Sequence, residues 1–209
     1  METTDPFHRA WSRFATWLAE HSPHDHSELR PPATDDQISA IETLYGFPLH
    51  PELKALLQLH DGARRELGSY DLDHFQAGSF LPLGHRLNDT DLILGMHEFL
   101  VETAAEWEEF REEYIEEPLE CHADEWVPFA HPNDGGLAFV DHRPGPTYGH
   151  VFEWGAGSGC DPQPWATSLT DLFDRLADAI ETGSPFRHHY PCVEHLGPGR
   201  WFLNWPIQT

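Results

Sequence analysis

The sequence predicts one folded domain that combines amphipathic α-helices with a meander of antiparallel β-strands. Apolar residues recur at helical spacing in the first part of the chain and again near its end. Three short runs rich in Val, Phe and Trp lie between them, separated by turn residues. With 209 residues, 39% of them hydrophobic, the chain is long and apolar enough to fill one core.

The first helix is predicted to begin at Pro6, with Asp5 as its N-cap, because proline fits the first turn of a helix. Its apolar stripe consists of Phe7, Ala10, Trp11, Phe14, Trp17 and Leu18. The polar, proline-rich stretch "HSPHDHSELRPPA" follows and predicts a linker. We therefore expect residues 1–30 to form a helix and a linker that pack on the domain as an extension.

A pair of helices comes next. Thr34 and Gln37 form a capping box, and Gly46 ends the helix that they begin. The apolar stripe of this helix is Ile38, Ile41, Leu44 and Tyr45. Pro51 starts another helix, which carries Leu53, Leu56, Leu57 and His60 and ends at "HDG".

Two short strands and a long helix are predicted in the middle of the chain. The stretches "ELGSYDL" and "AGSFLPLG" are interpreted as the strands, because glycine and proline punctuate them. Residues 91–117 have helical periodicity, with a predicted buried face of Leu92, Phe99, Leu100, Ala104, Trp107, Phe110 and Tyr114. The other face carries Glu102, Glu106, Glu108, Glu109, Glu112, Glu113, Glu116 and Glu117 against Arg111. A run of this kind is more often a solvated helix face than a dedicated partner surface.

The runs "EWVPFA", "GLAFVD" and "GHVFEWG" predict three antiparallel strands, with turns at "HPNDG" and "HRPGPTY". Ser168 then caps a helix that Gly183 ends. The apolar stripe of that helix is Leu169, Leu172, Phe173, Leu176, Ala177 and Ile180. In the tail, residues 184–209, we expect one more strand.

The charge of the chain is strongly negative. Lys and Arg number 12 against 36 Asp and Glu, which gives a formal net charge of -24. A field of this sign repels phosphate backbones, so no nucleic-acid partner is expected, whereas basic proteins, including nuclease toxins, are attracted. A general contribution to solubility is the simpler interpretation of the same charge.

The cysteines and the N-terminus indicate a soluble cytoplasmic protein. Cys121, Cys160 and Cys192 are odd in number and have no paired spacing, which argues against a disulfide framework. The N-terminal residues show no signal peptide, and the sequence has no apolar stretch of the length needed to span a membrane.

The 16 histidines of the chain make metal binding a hypothesis. The two densest groups are His188, His189, Cys192 and His195 in "HHYPCVEH", and His21, His24 and His26 in "HSPHDH". Neither has a recurrent zinc-ligand spacing, so scattered surface histidine is the better interpretation. We predict no metal and no cofactor.

No catalytic residue is predicted either. Ser158 lies in "GAGSGC", which fails the G-x-S-x-G pattern of a nucleophile elbow and lacks the lysine of a phosphate loop. Asp141 and His142 are neighbours at a strand end, where successive side chains point to opposite faces. Asp141 is therefore expected to cap the turn that follows.

The ordered set of segments resembles the SUKH superfamily, specifically its Smi/Knr-like branch, over roughly residues 30–183. The features that carry the resemblance are His60, Asp61, Gly62, Leu81, Pro82, Trp126, Pro128, Phe129, Asp134, Gly135, Asp141, Pro144, Gly149, Val151 and the helix after Ser168. The resemblance implies an α+β domain, here at residues 31–183, with a central, mostly antiparallel sheet flanked by α-helices. It lends no catalytic residues.

Similar bacterial proteins are regarded as immunity proteins that bind and neutralise polymorphic toxins, often nucleases. The leading hypothesis is therefore a non-enzymatic cytoplasmic immunity protein with a basic toxin as its partner. A scaffold or regulatory domain in cell-envelope or developmental control is the alternative, and a metal-dependent hydrolase using Asp141, His142, His150 or the His/Cys tail is a third hypothesis. The predicted partner-binding residues are Glu102, Glu106, Glu109, Glu113, His142, Tyr148, Glu153, Trp154 and Trp165.

Overall fold

Helices and strands account for most of the residues that the structure describes. The computed structural model describes residues 5–64, 77–114, 117–132, 135–195 and 197–207. The helices in these ranges are α1 (Pro6–His21), α2 (Pro23–Ser27), α3 (Asp35–Tyr45), α4 (Pro51–Leu59), α5 (Thr90–Phe110) and α6 (Leu169–Thr182). The strands are β1 (Arg86–Leu87), β2 (Trp126–His131), β3 (Gly136–Asp141), β4 (Val151–Gly155), β5 (Gly159–Cys160), β6 (Cys192–His195) and β7 (Trp201–Asn204). This arrangement confirms the predicted α+β class.

The central sheet is an antiparallel meander in the order β1-β2-β3-β4-β5. Strands β2 and β3 are buried along nearly their whole length, so helices and loops cover both faces of the sheet. On one face Phe139 stacks on Trp126, with ring centroids 3.9 Å apart, and on Phe152 at 5.7 Å. The three predicted central strands are therefore confirmed, and their aromatic residues form the middle of the core.

Helices α1 and α6 pack against each other through the apolar stripes that the sequence indicates. The Phe173 ring lies 4.8 Å from that of Trp11 and 5.6 Å from that of Phe14. Ser168 caps α6 by accepting a hydrogen bond from the Asp171 backbone N–H at 3.0 Å, and Gly183 ends it in the left-handed conformation. The predicted boundaries of α6 are confirmed.

The long middle of the chain differs from expectation in two places. The stretch "AGSFLPLG" forms turns and a short 3₁₀ helix (Pro82–Gly84); Leu83 and Gly84 both have positive φ, which an extended strand does not accommodate. The predicted strand there is wrong. Strand β1, which follows, pairs with β2 of the sheet. The helix predicted for residues 91–117 ends at Phe110 and continues as a 3₁₀ turn (Arg111–Glu113). The stretch "ELGSYDL" and residues 133–134 of the predicted turn lie outside the described residues.

The predicted linker after α1 and the C-terminal tail contain more secondary structure than the sequence predicts. The stretch predicted as a linker contains α2, and Asp25 within it is buried. Its carboxylate accepts hydrogen bonds from the backbone N–H groups of Gly78 at 2.9 Å and Leu203 at 2.8 Å. The tail forms a separate hairpin of two strands, β6 and β7, where one strand was expected. Asp25 thus joins the N-terminal segment to the C-terminal hairpin.

Candidate partner-binding surface

Helix α5 is held by carboxylates at its N-terminus. The N-cap Asp89 accepts a hydrogen bond from the Leu92 backbone N–H at 2.8 Å, and the buried Asp61 accepts one from the Thr90 N–H at 2.8 Å. Arg30 pairs with both carboxylates. The start and direction of α5 are thereby fixed relative to the end of α4.

The buried face of α5 differs from the predicted one. The residues that face the core are Thr90, Ile93, Leu100, Thr103 and Ala104. Phe99 and Phe110, which were expected to be buried, are 43% and 45% exposed, and Tyr114 just beyond the helix is 49% exposed. Phe99 is turned about 100° around the helix axis from Leu100, so the two cannot share one narrow buried face. The prediction placed too wide an apolar stripe inside.

The solvent side of α5 carries glutamates that have no basic partner among the residues that the structure describes. Within the described ranges, Glu102, Glu106 and Glu109 are exposed and none of them forms an ion pair with a lysine or arginine. By contrast, Glu108 pairs with Arg111 at 3.1 Å. The side chain of Glu113 lies outside the description. A row of unpaired carboxylates concentrates the negative field of the chain at this helix.

Exposed aromatic residues lie among these glutamates. Phe99 contacts Trp154 of strand β4, with ring centroids 5.7 Å apart, and Trp154 is half-buried. Phe99, Glu102, Glu106 and Glu109 are three or four residues apart, and Phe110 is four residues after Glu106, so all five lie along one side of the helix. We call these five residues, together with Trp154, the α5 ridge.

Two of the predicted partner-binding residues are not on the surface. Trp165 is 3% exposed and packs against His85, with ring centroids 5.1 Å apart. His142 is 5% exposed and stacks on Phe47. His142 was predicted at the rim, and for Trp165 core packing was the alternative to an exposed sheet end. The chain turns both side chains inward onto aromatic neighbours. Tyr148 is exposed and Glu153 is half-buried, so both can be reached from solvent.

His142 has a structural role. Its Nε2 accepts a hydrogen bond from the His50 backbone N–H at 2.8 Å, and its Nδ1 donates one to the Val140 carbonyl at 2.9 Å. Burial lowers the pKa of His142 to about 4. The ring is therefore neutral at neutral pH, which is the form that can accept the His50 hydrogen bond.

Asp141 and His142, the pair that could have carried acid-base chemistry, each bind a different structural partner. Asp141 is fully buried and binds the Arg143 guanidinium, with its Oδ2 2.8 Å from Nη2. Its Oδ1 also accepts a hydrogen bond from the Arg143 backbone N–H at 2.9 Å, which confirms the predicted turn cap. Ser158 lies in the turn between β4 and β5. Asp141 thus lies at the end of a strand, and Ser158 lies in a turn.

Two histidines of the tail, His189 and His195, contact residues of the C-terminal segment. The His189 Nδ1 is 3.0 Å from the Trp205 carbonyl oxygen, and His195 stacks on Trp201 with ring centroids 4.3 Å apart. Among the residues that the structure describes, no group of three or more His, Cys, Asp or Glu is placed to hold a metal ion. The α5 ridge is therefore the candidate partner-binding surface.

The fold and the ridge define the class of protein: a single-domain α+β chain whose central sheet carries a helix of exposed acidic and aromatic side chains. The chain belongs to the SMI1/KNR4 family (SUKH-1), whose model matches residues 32–175. This finding confirms the resemblance to the Smi/Knr-like branch. No curated protein matches the chain. In the described ranges no helix combines the length and apolar character that crossing a membrane requires.

Proposed function

We propose that this chain is a non-enzymatic protein-binding module, an immunity protein that acts in the cytoplasm and neutralises a basic polymorphic toxin such as a nuclease. Membership of the SMI1/KNR4 family is consistent with such a role. A net charge of -24 favours a partner of opposite sign.

The observation that carries the proposal is the α5 ridge. Glu102, Glu106 and Glu109 have no basic partner within the described part of the chain. Complementary charge speeds association and suppresses wrong partners, and a few desolvated aromatic residues provide most of the affinity. The ridge offers both kinds of contact, along α5 and at Trp154 of β4.

Three further residues extend the proposed interface. Glu153 precedes Trp154 on β4, where neighbouring side chains point to opposite faces of the sheet, and it stays a prediction as a partner contact. Glu113 continues the acidic sequence past the end of α5. Tyr148 is exposed on the connection between β3 and β4 and stays a prediction as a partner contact.

The test is rescue of cells from a toxin encoded beside the gene for this chain. Co-expression of the chain should restore growth, and the toxin should co-purify with it at low salt and dissociate as the salt concentration rises. If no adjacent toxin is neutralised and the captured protein is an envelope or developmental factor, the chain is a regulatory scaffold and the immunity proposal is wrong.

A further inference from the structure

We infer that the α5 ridge recognises arginine side chains of its protein partner, in preference to lysine, through stacking on exposed rings next to carboxylates. This inference rests on the proposed protein-binding function and names the chemistry of the partner. It starts from Phe99, Phe110 and Tyr114, which are 43%, 45% and 49% exposed on or just beyond one helix, because grouped exposed apolar side chains mark interaction sites more often than single ones do.

Each end of the ridge combines a ring with a carboxylate. Phe99 has Glu102 one turn further along the helix, and Phe110 has Glu106 one turn back. Phe99 contacts Trp154, and Phe110 lies in the sequence between Trp107 and Tyr114, whose rings are 5.6 Å apart. The ridge therefore presents the same pair of chemical groups twice.

A guanidinium group satisfies both parts of such a pair at once. Its plane stacks on an aromatic face, and the N–H groups at its edge donate to a carboxylate with two parallel hydrogen bonds. An ammonium group is a compact, strongly hydrated charge and gains less from a ring face. The combination of exposed ring and unpaired glutamate thus distinguishes arginine from lysine.

The spacing of the two pairs sets a geometric requirement. With a rise of about 1.5 Å per residue, Phe99 and Phe110 are about 16 Å apart along the helix axis. Two arginines of the partner match that distance when they are about eleven residues apart on a helix, or about five apart on a strand. Arginines on adjacent turns of a helix reach only one pair.

The probes are three synthetic helical peptides of equal length: one with two arginines about eleven residues apart, one with lysines at the same positions, and one with the arginines about four residues apart. Binding to the full chain is followed through the indole N–H signal of Trp154 in a proton-nitrogen correlation spectrum, assigned with the Trp154→Phe variant. We expect the widely spaced arginine peptide to bind about five times more tightly than either of the others.

Single variants then locate the contact. Phe99→Ser and Phe110→Ser should each weaken binding of the arginine peptide about tenfold, and Glu106→Gln about threefold. The matched controls are Ile207→Ser, which removes an apolar side chain that is 62% exposed, and Glu20→Gln on α1, and both should leave binding unchanged.

Equal affinity for arginine and lysine peptides, an unchanged affinity in Phe99→Ser, or the absence of any binding would each overturn the inference. These results are separable from the proposed function. If Phe99→Ser and Phe110→Ser still rescue cells from the toxin, the immunity function stands and the ridge is not its contact. If the arginine peptide binds as expected but no toxin is neutralised, the immunity function falls and the ridge remains an arginine-binding surface.

Discussion

The Asp61 carboxylate accepts a hydrogen bond from the Thr90 backbone N–H at 2.8 Å and so connects the end of α4 to the first residue of α5. Asp61 is buried, and its other oxygen lies 3.1 Å from the Arg30 guanidinium. The His60-Asp61-Gly62 step, one of the features behind the family resemblance, is therefore the connection that positions the helix of the ridge.

Removal of the Asp61 carboxylate should destabilise the fold. Asp61→Ala leaves the Thr90 N–H without its acceptor and leaves Arg30 with Asp89 alone, and we expect the free energy of unfolding to fall by about 3 kcal/mol. Urea denaturation at neutral pH measures this. The control is Asp35→Ala in the exposed first turn of α3, where the loss should stay within about 1 kcal/mol. Equal losses in the two variants would contradict the proposed role of Asp61.

Substitution of Gly62 tests whether the connection between α4 and α5 depends on backbone geometry. Its φ is 72°, and an added Cβ would lie 2.5 Å from the Asn88 carbonyl carbon. Gly62→Ala should therefore cost more than about 3 kcal/mol, since the clash adds to the cost of a left-handed alanine. Gly46→Ala has a similar φ of 77° with open space around it, and should cost about 1 kcal/mol. A difference near zero in urea denaturation would show that the close approach to Asn88 is unimportant.

Because burial keeps His142 and His85 neutral, we expect the fold to lose stability in mild acid. The pKa of His142 is lowered to about 4 by burial, whereas an unfolded histidine titrates near about 6.5, so the unfolded state binds more protons between these values. The contribution of His142 to the free energy of unfolding is complete above the upper value and should fall by about 2 kcal/mol from pH 7 to pH 5. His85, whose pKa burial also lowers to about 4, acts in the same direction.

A comparison of variants isolates the part due to His142, because burial raises the pKa of Asp25 and works in the opposite direction. The stability difference between wild type and His142→Phe should shrink by about 2 kcal/mol from pH 7 to pH 5. The difference for Leu53→Ala, which removes buried apolar atoms and no titrating group, should stay constant. A constant difference for both variants would mean that His142 is not held neutral.

Asp25 attaches the C-terminal hairpin to the N-terminal segment through its hydrogen bond with Leu203. Asp25→Ala removes the acceptor for the Gly78 and Leu203 N–H groups, and should lower the free energy of unfolding by about 3 kcal/mol. In hydrogen exchange the Leu203 amide should lose its protection, while the amides of β3 exchange only as fast as the lower global stability allows. Unchanged protection at Leu203 would show that other contacts hold the hairpin.

Local features of the fold could be predicted from the sequence because their causes are local. The Thr34–Gln37 capping box and the Ser168 cap are observed as expected, since each needs residues within one turn. The hairpin anchor at Asp25 could not be predicted, because its partner Leu203 is 178 positions away and nothing near Asp25 marks it.

The candidate surface was only half predicted for a related reason. The acidic side of α5 follows from composition, and Glu102, Glu106 and Glu109 are exposed as expected. The exposure of Phe99 was missed because an aromatic residue beside a helical stripe has the same sequence pattern whether it packs inside or remains in solvent. Only the position of Leu100 and Ala104 against the core decides which side faces inward.

Neutralising the ridge should not damage the fold. Glu102→Gln, Glu106→Gln and Glu109→Gln together remove carboxylates that repel one another and have no basic partner in the described ranges. We expect the free energy of unfolding to stay within about 0.5 kcal/mol of wild type. A large loss in urea denaturation would show that the glutamates stabilise the chain and would remove the reason to assign them to a partner.

The most direct test of the central claim is growth of cells that carry the adjacent toxin and one of three forms of this chain: wild type, the Glu102, Glu106 and Glu109 glutamine variant, or a control with Glu20→Gln, Asp35→Asn and Asp36→Asn. The control loses the same charge from exposed positions on α1 and α3. We predict that wild type and control restore growth while the ridge variant, at equal abundance, does not. Full rescue by the ridge variant, or equal failure of both variants, would contradict the claim that the α5 ridge binds and neutralises the toxin.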